Sequence, residues 1–413
     1  MIEIISLLAI VVAIAIGFWK NINVGLIAIV FALFLGYYAG GIPINTIIGY
    51  WPIKLFFTTF GITLLFSIAK LNGTLEKISK TIIYQSRGKK VLIPIIFYVL
   101  ALVIAMVGPG NISTSALLLP IGLIIAYQTG ISMLMMSTLI ILGSIAGGLS
   151  PLAPNGIVAL DLALSNGVGD LGFRIFAVNV AAMTLFAALV FLVLGGLKYR
   201  GNRIEISKAG KIDRNQIITL ISILVLVLWV IIGGINVGFA AFTLSAVLLI
   251  LKAGDQNEAI KHVPWSTILL ICGTAVLISV VNELGGVDLL TTFLASLMNK
   301  QTAVPIMAVL SGVMSIFSSA VGVVMPTLIP TTVSLSNELG QVVSPAVLTI
   351  TIAVASHIVT MSPFSTMGAL ALASSPEVVD KKKLFKNLFI TAFLSLAFIA
   401  IFLGVLVAIG WIS

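Results

Sequence analysis

The stretch SPLAPNGIVAL at residues 150–160 decides the fold of this 413-residue chain, because it recurs as SPFSTMGALAL at 362–372. The serine, the first proline and the glycine of the two copies keep register, with Ser362 following Ser150 by 212 residues. Both copies set Pro, Ser and Gly inside an apolar run. Proline and glycine weaken or end a helix, so each copy predicts a break within a long apolar helix.

Three other landmarks repeat at nearly the same offset. They are Trp51 with Trp265, the Asn-Gly at 72–73 with the Gly-Gly at 285–286, and Pro120 of LLLP with Pro330 of TLIP. A shared offset across these landmarks predicts two related halves, residues 1–198 and 215–413, joined by a cytoplasmic linker at 199–214.

The composition excludes an ordinary soluble domain. Hydrophobic residues make up 60% of the chain and charged residues 8%, against about 45–50% and about 25% in soluble proteins. Apolar stretches of spanning length recur from Ile4 to Ile412. The chain is therefore predicted to be an all-α polytopic membrane protein. Its single cysteine, Cys272, lies in an apolar run and is predicted to serve packing.

Twelve segments are candidate spans. The pairs at 91–128 and 302–335 are predicted to be re-entrant hairpins, and 133–165 and 345–375 to be broken transmembrane helices. The remaining spans are 3–19, 22–40, 51–70, 173–198, 215–233, 236–252, 265–284 and 387–412.

The basic residues orient these spans. With the N-terminus outside, 19 of the 22 Lys and Arg residues fall on one face, the exceptions being Lys54, Arg174 and Lys300. The positive-inside rule makes that face cytoplasmic and places both termini outside the plasma (inner) membrane. The first half then starts outside and the second starts inside, which predicts two inverted-topology repeats. Because the positive charges sit in short loops, nucleic acid is not expected as a partner.

Four segments break the apolar pattern at depth: GPGNISTS at 108–115, GGLSPLAPNG at 147–156, FSSAVG at 317–322 and HIVTMSPFSTMG at 357–368. Unwound backbone within a membrane is tolerated only where it is buried in protein or lines a wet cavity. A single break could be a mere kink. Four breaks paired by a repeat predict one shared cavity.

The residue types in these breaks predict an anion site. A helix that restarts after a break carries partial positive charge at its N-terminus, and exposed carbonyls coordinate sodium, which would offset the charge of the anion. None of the four segments contains Asp, Glu, Lys or Arg, whereas a cation substrate or a proton pump would require acids. Candidate substrate ligands are Asn111, Ser113, Thr114, Asn155, Ser318, Ser319, Ser362, Ser365 and Thr366.

His357 is the one ionisable residue in a broken span. It could carry a proton or donate to a carboxylate, and it is added to the substrate-binding candidates. The competing reading is a neutral histidine hydrogen-bonded between helices.

Two other classes of function are weighed against transport. An intramembrane enzyme would need a nucleophile with its base, a carboxylate pair or a metal cluster, and the breaks offer one histidine. A passive channel could also be lined by broken helices, but it would be insensitive to a coupling ion. No cofactor is expected.

The segments LFFTTFGITLLFSIAKLNGTLEKI at 55–78, AMVGPGNISTSALLLPIGL at 105–123 and GSIAGGLSPLAPNGIVA at 143–159 resemble the MatC-type dicarboxylate (malonate) carriers. These belong to the ion transporter superfamily with the divalent anion:sodium symporters. The resemblance covers the first half directly and the second half through the repeat. It implies an elevator mechanism, in which hairpins and broken helices move against a scaffold in a homodimer.

The symporters carry a Ser-Asn-Thr motif at each hairpin tip and a Pro-containing break in the next helix. Asn111 falls on the Asn of that motif, flanked here by Gly110 and Ile112. The breaks match at Pro154 with Asn155 and at Pro363 with Thr366, while the second hairpin keeps Ser318 and Ser319 but lacks the Asn. The sodium ligands implied are Gly110, Asn111, Ser150, Ser319 and Ser362.

The sequence thus predicts a secondary active transporter, not an enzyme. It is expected to import a C3 or C4 dicarboxylate such as malonate or succinate by sodium symport. Proton coupling and another oxyanion stay open as alternatives.

Overall fold

The computed structural model describes residues 1–20, 22–84, 89–199, 210–233, 235–299, 301–317, 319–376 and 378–412. Seven helices in these residues are long and apolar enough to cross a membrane: Ile44–Leu71, Gly110–Thr129, Gly172–Val193, Trp265–Glu283, Ala320–Glu338, Pro345–Ser374 and Lys381–Ala408. Together with the shorter apolar helices they make this a multi-pass membrane protein, as predicted.

The helices of the first half are α1 (Ile2–Lys20), α2 (Val24–Leu33), α3 (Ile44–Gly49), α4 (Ile53–Leu71), α5 (Thr74–Tyr84), α6 (Leu92–Val107), α7 (Gly110–Thr129), α8 (Met133–Gly148), α9 (Pro154–Ser165) and α10 (Gly172–Val193). Residues 133–165, for which a broken helix is predicted, form α8 and α9 with an unwound stretch between them. Residues 91–128 form α6 and α7, joined by a turn of two residues.

The helices of the second half are α11 (Arg214–Ile231), α12 (Val237–Ile250), α13 (Gln256–Lys261), α14 (Trp265–Glu283), α15 (Gly286–Leu297), α16 (Ala303–Phe317), α17 (Met325–Leu328), α18 (Thr332–Glu338), α19 (Pro345–Ile358), α20 (Thr366–Ser374) and α21 (Lys381–Ala408). The segment 345–375 forms α19 and α20, again with an unwound stretch between them. The linker is predicted to end at 214, but α11 already begins at Arg214, with Asp213 as its N-cap. Residues 200–209 of the linker lie outside the described residues.

The two breaks fold alike because the same residues close them. The Ser150 hydroxyl accepts a hydrogen bond from the Leu152 N–H (3.2 Å), and the Ser362 hydroxyl accepts one from the Phe364 N–H (3.3 Å). The carbonyl of each serine then accepts the N–H three residues further on, at 2.9 Å in both copies. These turns end α8 and α19 and set the directions of α9 and α20.

A glycine completes each turn. A Cβ on Gly156 would lie 1.9 Å from the Ser150 carbonyl oxygen, and one on Gly368 would lie 2.2 Å from that of Ser362. The restarting helix therefore packs directly on the backbone of the break, an approach open only to a residue without a side chain.

The helices α6 and α7 run antiparallel as a hairpin. The Lys90 ammonium, just before α6, donates to the carbonyl of Thr129 at the end of α7 (2.9 Å). The tip between them contains Gly108 and Gly110, with φ of 151° and 71°. Left-handed backbone of this kind strongly favours glycine.

The buried apolar side chains form separate groups. The largest contains nearly all the buried apolar residues of α6–α10 and α16–α21, together with Leu55 of α4, Ile271 of α14 and Leu294 of α15. We name the helices α6–α10 and α16–α21 the hairpin unit. Two smaller groups lie within α1–α5 and α11–α15, and both include residues of α14; these helices we name the frame unit. Each unit contains helices from both halves of the sequence, and Leu55, Ile271 and Leu294 of the frame unit pack into the largest group.

Two features differ from the spans predicted above. The helix that contains the last predicted span starts at Lys381, ahead of residue 387, because the Asp380 carboxylate caps the Lys383 N–H and lysine is a good helix former. The helices α5 and α15 follow α4 and α14 at equivalent places in the two halves, where no span is predicted.

Candidate functional site

All four sequence breaks meet at one cavity of about 150 Å³. Pockets for drug-sized ligands hold about 300–1,000 Å³, so this cavity suits a smaller molecule. Its lining residues are Asn111, Ile112, Asn155, Thr267, Ser319, Ala320, Val321, His357, Thr360, Phe364, Ser365, Thr366 and Met367.

The first wall is the tip of the α6–α7 hairpin against the start of α9. A Cβ on Gly110 would lie 3.1 Å from Pro154 Cδ, and a Cβ on Gly148 would lie 3.1 Å from the Cβ of Asn111. The small residues at both positions let the tip reach the point where α8 and α9 separate. Asn111 and Asn155, each at least nine-tenths buried, face the cavity there.

The second wall is the tip that follows α16 and the break between α19 and α20. The Ser319 hydroxyl accepts the Gly322 N–H (3.0 Å) and starts the helical stretch that leads into α17. Ser365 is the N-cap residue of α20, and Thr366 begins that helix. Ser318, a predicted substrate ligand, lies outside the described residues.

Four helical segments begin at this cavity: α7, α9, α20 and the segment from Ala320. In the part of the chain that the structure describes, no side chain caps the N-terminus of α7, α9 or α20. Side-chain caps occur at other helix starts, such as those of α8, α11, α19 and α21, although α4, α6, α10 and α14 also begin without one. The fourth segment is capped by the Ser319 hydroxyl, and each of the four N-terminal ends carries partial positive charge beside the cavity.

Three buried polar side chains form a hydrogen-bonded chain between the two walls. Asn155 Nδ2 donates to Asn111 Oδ1 (3.1 Å) and to His357 Nε2 (3.1 Å). His357 Nδ1 lies 2.7 Å from the Ala353 carbonyl oxygen. Because a carbonyl only accepts, Nδ1 carries the proton, and Nε2 of the neutral ring accepts from Asn155. The histidine thus links the second half of the chain to the first.

Six of the predicted substrate ligands line the cavity. They are Asn111, Asn155, Ser319, His357, Ser365 and Thr366. Pro154 and Pro363 lie in the breaks without lining it. Ser113 and Thr114 follow Asn111 on α7 and turn away from the cavity, and the Thr114 hydroxyl is buried without a partner among the described residues.

The predicted sodium ligands divide in the same way. Asn111 and Ser319 line the cavity, while Gly110 lies at the hairpin tip behind Asn111. The hydroxyls of Ser150 and Ser362 accept the backbone N–H groups that close the two breaks. All of these residues offer neutral oxygen atoms. No group of three or more His, Cys, Asp and Glu suited to a metal ion occurs among the described residues.

Two polar lining residues are absent from the predicted set. Thr360 donates to the His357 carbonyl (2.7 Å). Because it lies in the sequence break at 357–368, its position could have identified it as a candidate. Thr267 lies on the unbroken helix α14 of the frame unit, and the sequence carries no signal for it. Of the described lining residues, His357 alone is ionisable.

Comparison with known proteins supports this architecture. Residues 1–148 match a family model described as the N-terminus of the dicarboxylate carrier protein MatC. The predicted resemblance to MatC-type carriers is therefore confirmed over these residues. No curated protein matches the chain. The family match indicates a transporter and not an enzyme, as predicted.

Among solved structures, the chain is similar to the YdaH transporter of Alcanivorax borkumensis, whose crystal structure is described as revealing an unusual topology. The TM-score is 0.59 at 13% sequence identity, over 89% of this chain and 87% of that one. At this identity the likeness shows a shared fold alone.

Proposed function

We propose that this chain, whose first 148 residues match the MatC carrier family, is a secondary active transporter that imports a small dicarboxylate. A C3 or C4 dicarboxylate such as malonate or succinate fits the size of the cavity. The proposed coupling is symport with sodium.

The convergence of four helix N-termini on one cavity carries this proposal. Each N-terminus stabilises a nearby anion by about 0.3–1 kcal/mol, and by up to about 2 kcal/mol where it is partly buried. Four of them contribute roughly 1–8 kcal/mol. Asn111, Ser319, Ser365 and Thr366 add neutral donors within the same space. A carboxylate can thus be held without a buried Lys or Arg.

Sodium is preferred to protons as the coupling ion because of the residues that surround the site. The described lining residues include no carboxylate, and hydroxyl, amide and carbonyl oxygens suit sodium. In this proposal His357 stays neutral, with both ring nitrogens occupied by hydrogen bonds. Proton coupling through this residue is the alternative.

The proposed mechanism is an elevator. The hairpin unit supplies most of the largest apolar core and nearly all of the cavity lining, which supports its movement with the substrate as one body. The frame unit, with its separate cores, would be the scaffold and would form the interface of a homodimer. In this proposal the two halves are inverted repeats, and the α6–α7 and α16–α18 segments are re-entrant hairpins.

The proposed orientation follows from the basic residues. The side with Lys90 and the segment 381–386 would face the cytoplasm, with both termini outside the plasma (inner) membrane. Membrane lipid would then contact the apolar side chains that are exposed on both units.

Uptake of labelled malonate and succinate into proteoliposomes tests the proposal. An inward sodium gradient, an inward proton gradient and no gradient would be compared, with protein-free liposomes as the control. Accumulation that depends on sodium is the expected result. Accumulation driven by protons alone would replace sodium and make His357 the first residue to mutate. Equal rates with and without any gradient would indicate a channel.

A further inference from the structure

The hydrogen-bonded chain Asn111–Asn155–His357 has a fixed direction. At one end the Ile112 N–H donates to Asn111 Oδ1 (3.0 Å), and a backbone N–H can only donate. At the other end the Ala353 carbonyl faces His357 Nδ1 (2.7 Å), and a carbonyl can only accept. The two backbone groups therefore determine every donor and acceptor between them.

This direction decides which amide atoms remain for a ligand. Both hydrogens of Asn155 Nδ2 are used, one on Asn111 Oδ1 and one on His357 Nε2. Turning the Asn155 amide would set its oxygen against Asn111 Oδ1 and against the unprotonated Nε2. What remains is Asn155 Oδ1, an acceptor, and Asn111 Nδ2, a donor.

Both remaining atoms are open to the cavity. Neither makes a hydrogen bond within the described residues, and neither is among the partnerless polar atoms that are sealed from solvent. Both side chains line the cavity. The first wall therefore presents one donor and one acceptor on neighbouring amides.

We propose that this amide pair binds a protonated carboxyl group, so that the transported species is a dicarboxylate with one carboxyl ionised and the other protonated. This inference rests on the proposed function and narrows its substrate class. A carboxylic acid offers one acceptor and one donor, which match Asn111 Nδ2 and Asn155 Oδ1. A carboxylate offers acceptors only and would place an oxygen against Asn155 Oδ1.

The ionised carboxyl group has a separate place. The hydroxyls of Ser319, Ser365 and Thr366 lie with the N-termini of α20 and of the segment from Ala320 on the second wall. Hydroxyls and helix N-termini stabilise negative charge. The two walls thus differ in chemistry as the two ends of such a substrate differ.

Two isosteric monoanions separate this proposal from simple anion binding. Malonamate carries a primary amide, with one acceptor and N–H donors, in place of one carboxyl group of malonate. Acetoacetate has a methyl group where malonamate has the amide nitrogen, so its charge and size are alike but its donor is lost. Each compound would compete with labelled malonate for uptake by the wild-type protein in proteoliposomes at pH 7.5, with sodium held constant.

The expected result is that malonamate inhibits at a concentration about 5- to 150-fold lower than acetoacetate, because an unpaired buried acceptor costs about 1–3 kcal/mol. In Asn155→Leu, which removes the acceptor, the two inhibition constants should converge to within about twofold. The wild-type comparison needs no variant, so a folding defect in Asn155→Leu leaves the test intact.

Equal inhibition by the two compounds in wild-type protein would overturn the inference while leaving carboxylate transport in place. It would mean that binding depends on the charge of the ligand alone, or that sodium occupies Asn155 Oδ1. If labelled malonate and labelled succinate are not taken up under any gradient, the proposed function fails and the inference fails with it. The two failures are therefore distinguishable.

Discussion

The substitution Gly156→Ala tests how the first break positions the site. A methyl group at residue 156 would lie 1.9 Å from the Ser150 carbonyl oxygen, whereas real Cβ atoms stay at least 3.0 Å away, so the two must separate by at least about 1.1 Å. The contacted atom is backbone and cannot rotate aside. The N-terminus of α9, and Asn155 with it, must therefore move.

The size of the effect follows from this displacement. Overpacking a close-packed site costs about 1–3 kcal/mol. If that cost falls on the geometry of the bound state, the affinity for the substrate drops roughly 5- to 150-fold. A displacement of about 1 Å also misplaces Asn155 relative to Asn111, whose 3.1 Å hydrogen bond tolerates little lengthening.

The assay is the concentration dependence of malonate uptake, together with the unfolding temperature of the purified protein. Gly404→Ala is the matched control, because a Cβ there meets no atom within 4 Å and Gly404 lies near the C-terminal end of the helix α21, where alanine is tolerated. We expect Gly156→Ala to lose at least about fivefold in uptake at low malonate, and Gly404→Ala to match wild type. Uptake by Gly156→Ala within twofold of wild type would refute the account of the break.

Three further predictions concern single side chains. Asn111→Ala and Asn155→Ala should each lower uptake at least about tenfold, since each removes a buried amide that faces the cavity. The control Asn337→Ala, at an exposed position on α18, should leave uptake unchanged. Wild-type uptake by both site variants would show that neither amide belongs to the site. His357→Gln should keep most sodium-driven uptake if the histidine serves as a neutral acceptor, and loss of a pH dependence in this variant would instead make it a coupling residue. Asn179→Leu should lower the unfolding temperature, because Asn179 Nδ2 donates to the carbonyls of Ile145 (2.8 Å) and Ala146 (3.1 Å) at the end of α8. Each carbonyl left unpaired costs about 1–3 kcal/mol. An unchanged unfolding temperature would contradict a stabilising role for Asn179.

The breaks could be located from sequence because helix physics within a membrane is restrictive. A cluster of Pro, Gly and Ser within a mid-span run weakens the helix there, and the repeat indicates which runs correspond, whereas the isolated Pro120 stays inside α7. Ser150 and Ser362 occupy the same turn in the two halves. The positions of α8, α9, α19 and α20 follow from these residues.

The phase of each helix could not be predicted. Asn111 faces the cavity while Ser113 and Thr114 do not, because α7 begins directly at Gly110 and successive side chains turn by 100°. Sequence does not say at which residue the turn becomes a helix. The tautomer of His357 could not be predicted from the sequence either, since it depends on the contact between Nδ1 and the Ala353 carbonyl one turn earlier.

The sequence also could not predict which residues of the frame unit line the cavity. Thr267 lies on α14, an unbroken helix whose hydroxyl residues resemble those of any transmembrane helix. Only the packing of the frame unit against the hairpin unit brings it to the cavity. Hydrophobicity predicts a loop at the charged start of α21, because it marks the end of an apolar run and not the end of a helix. In the structure α21 begins at Lys381, with Asp380 as its N-cap.

The central claim is that the carboxylate binds in the cavity where the four breaks meet, and cysteine protection tests it most directly. The native Cys272 is 1% exposed, so a cysteine introduced as Ser365→Cys can be followed by its rate of reaction with a small thiol reagent. Ser165→Cys, at the exposed far end of α9, is the control. We predict that saturating malonate slows modification at residue 365 several-fold and leaves residue 165 unaffected. Unchanged modification at residue 365, in a variant that still transports malonate, would contradict the account.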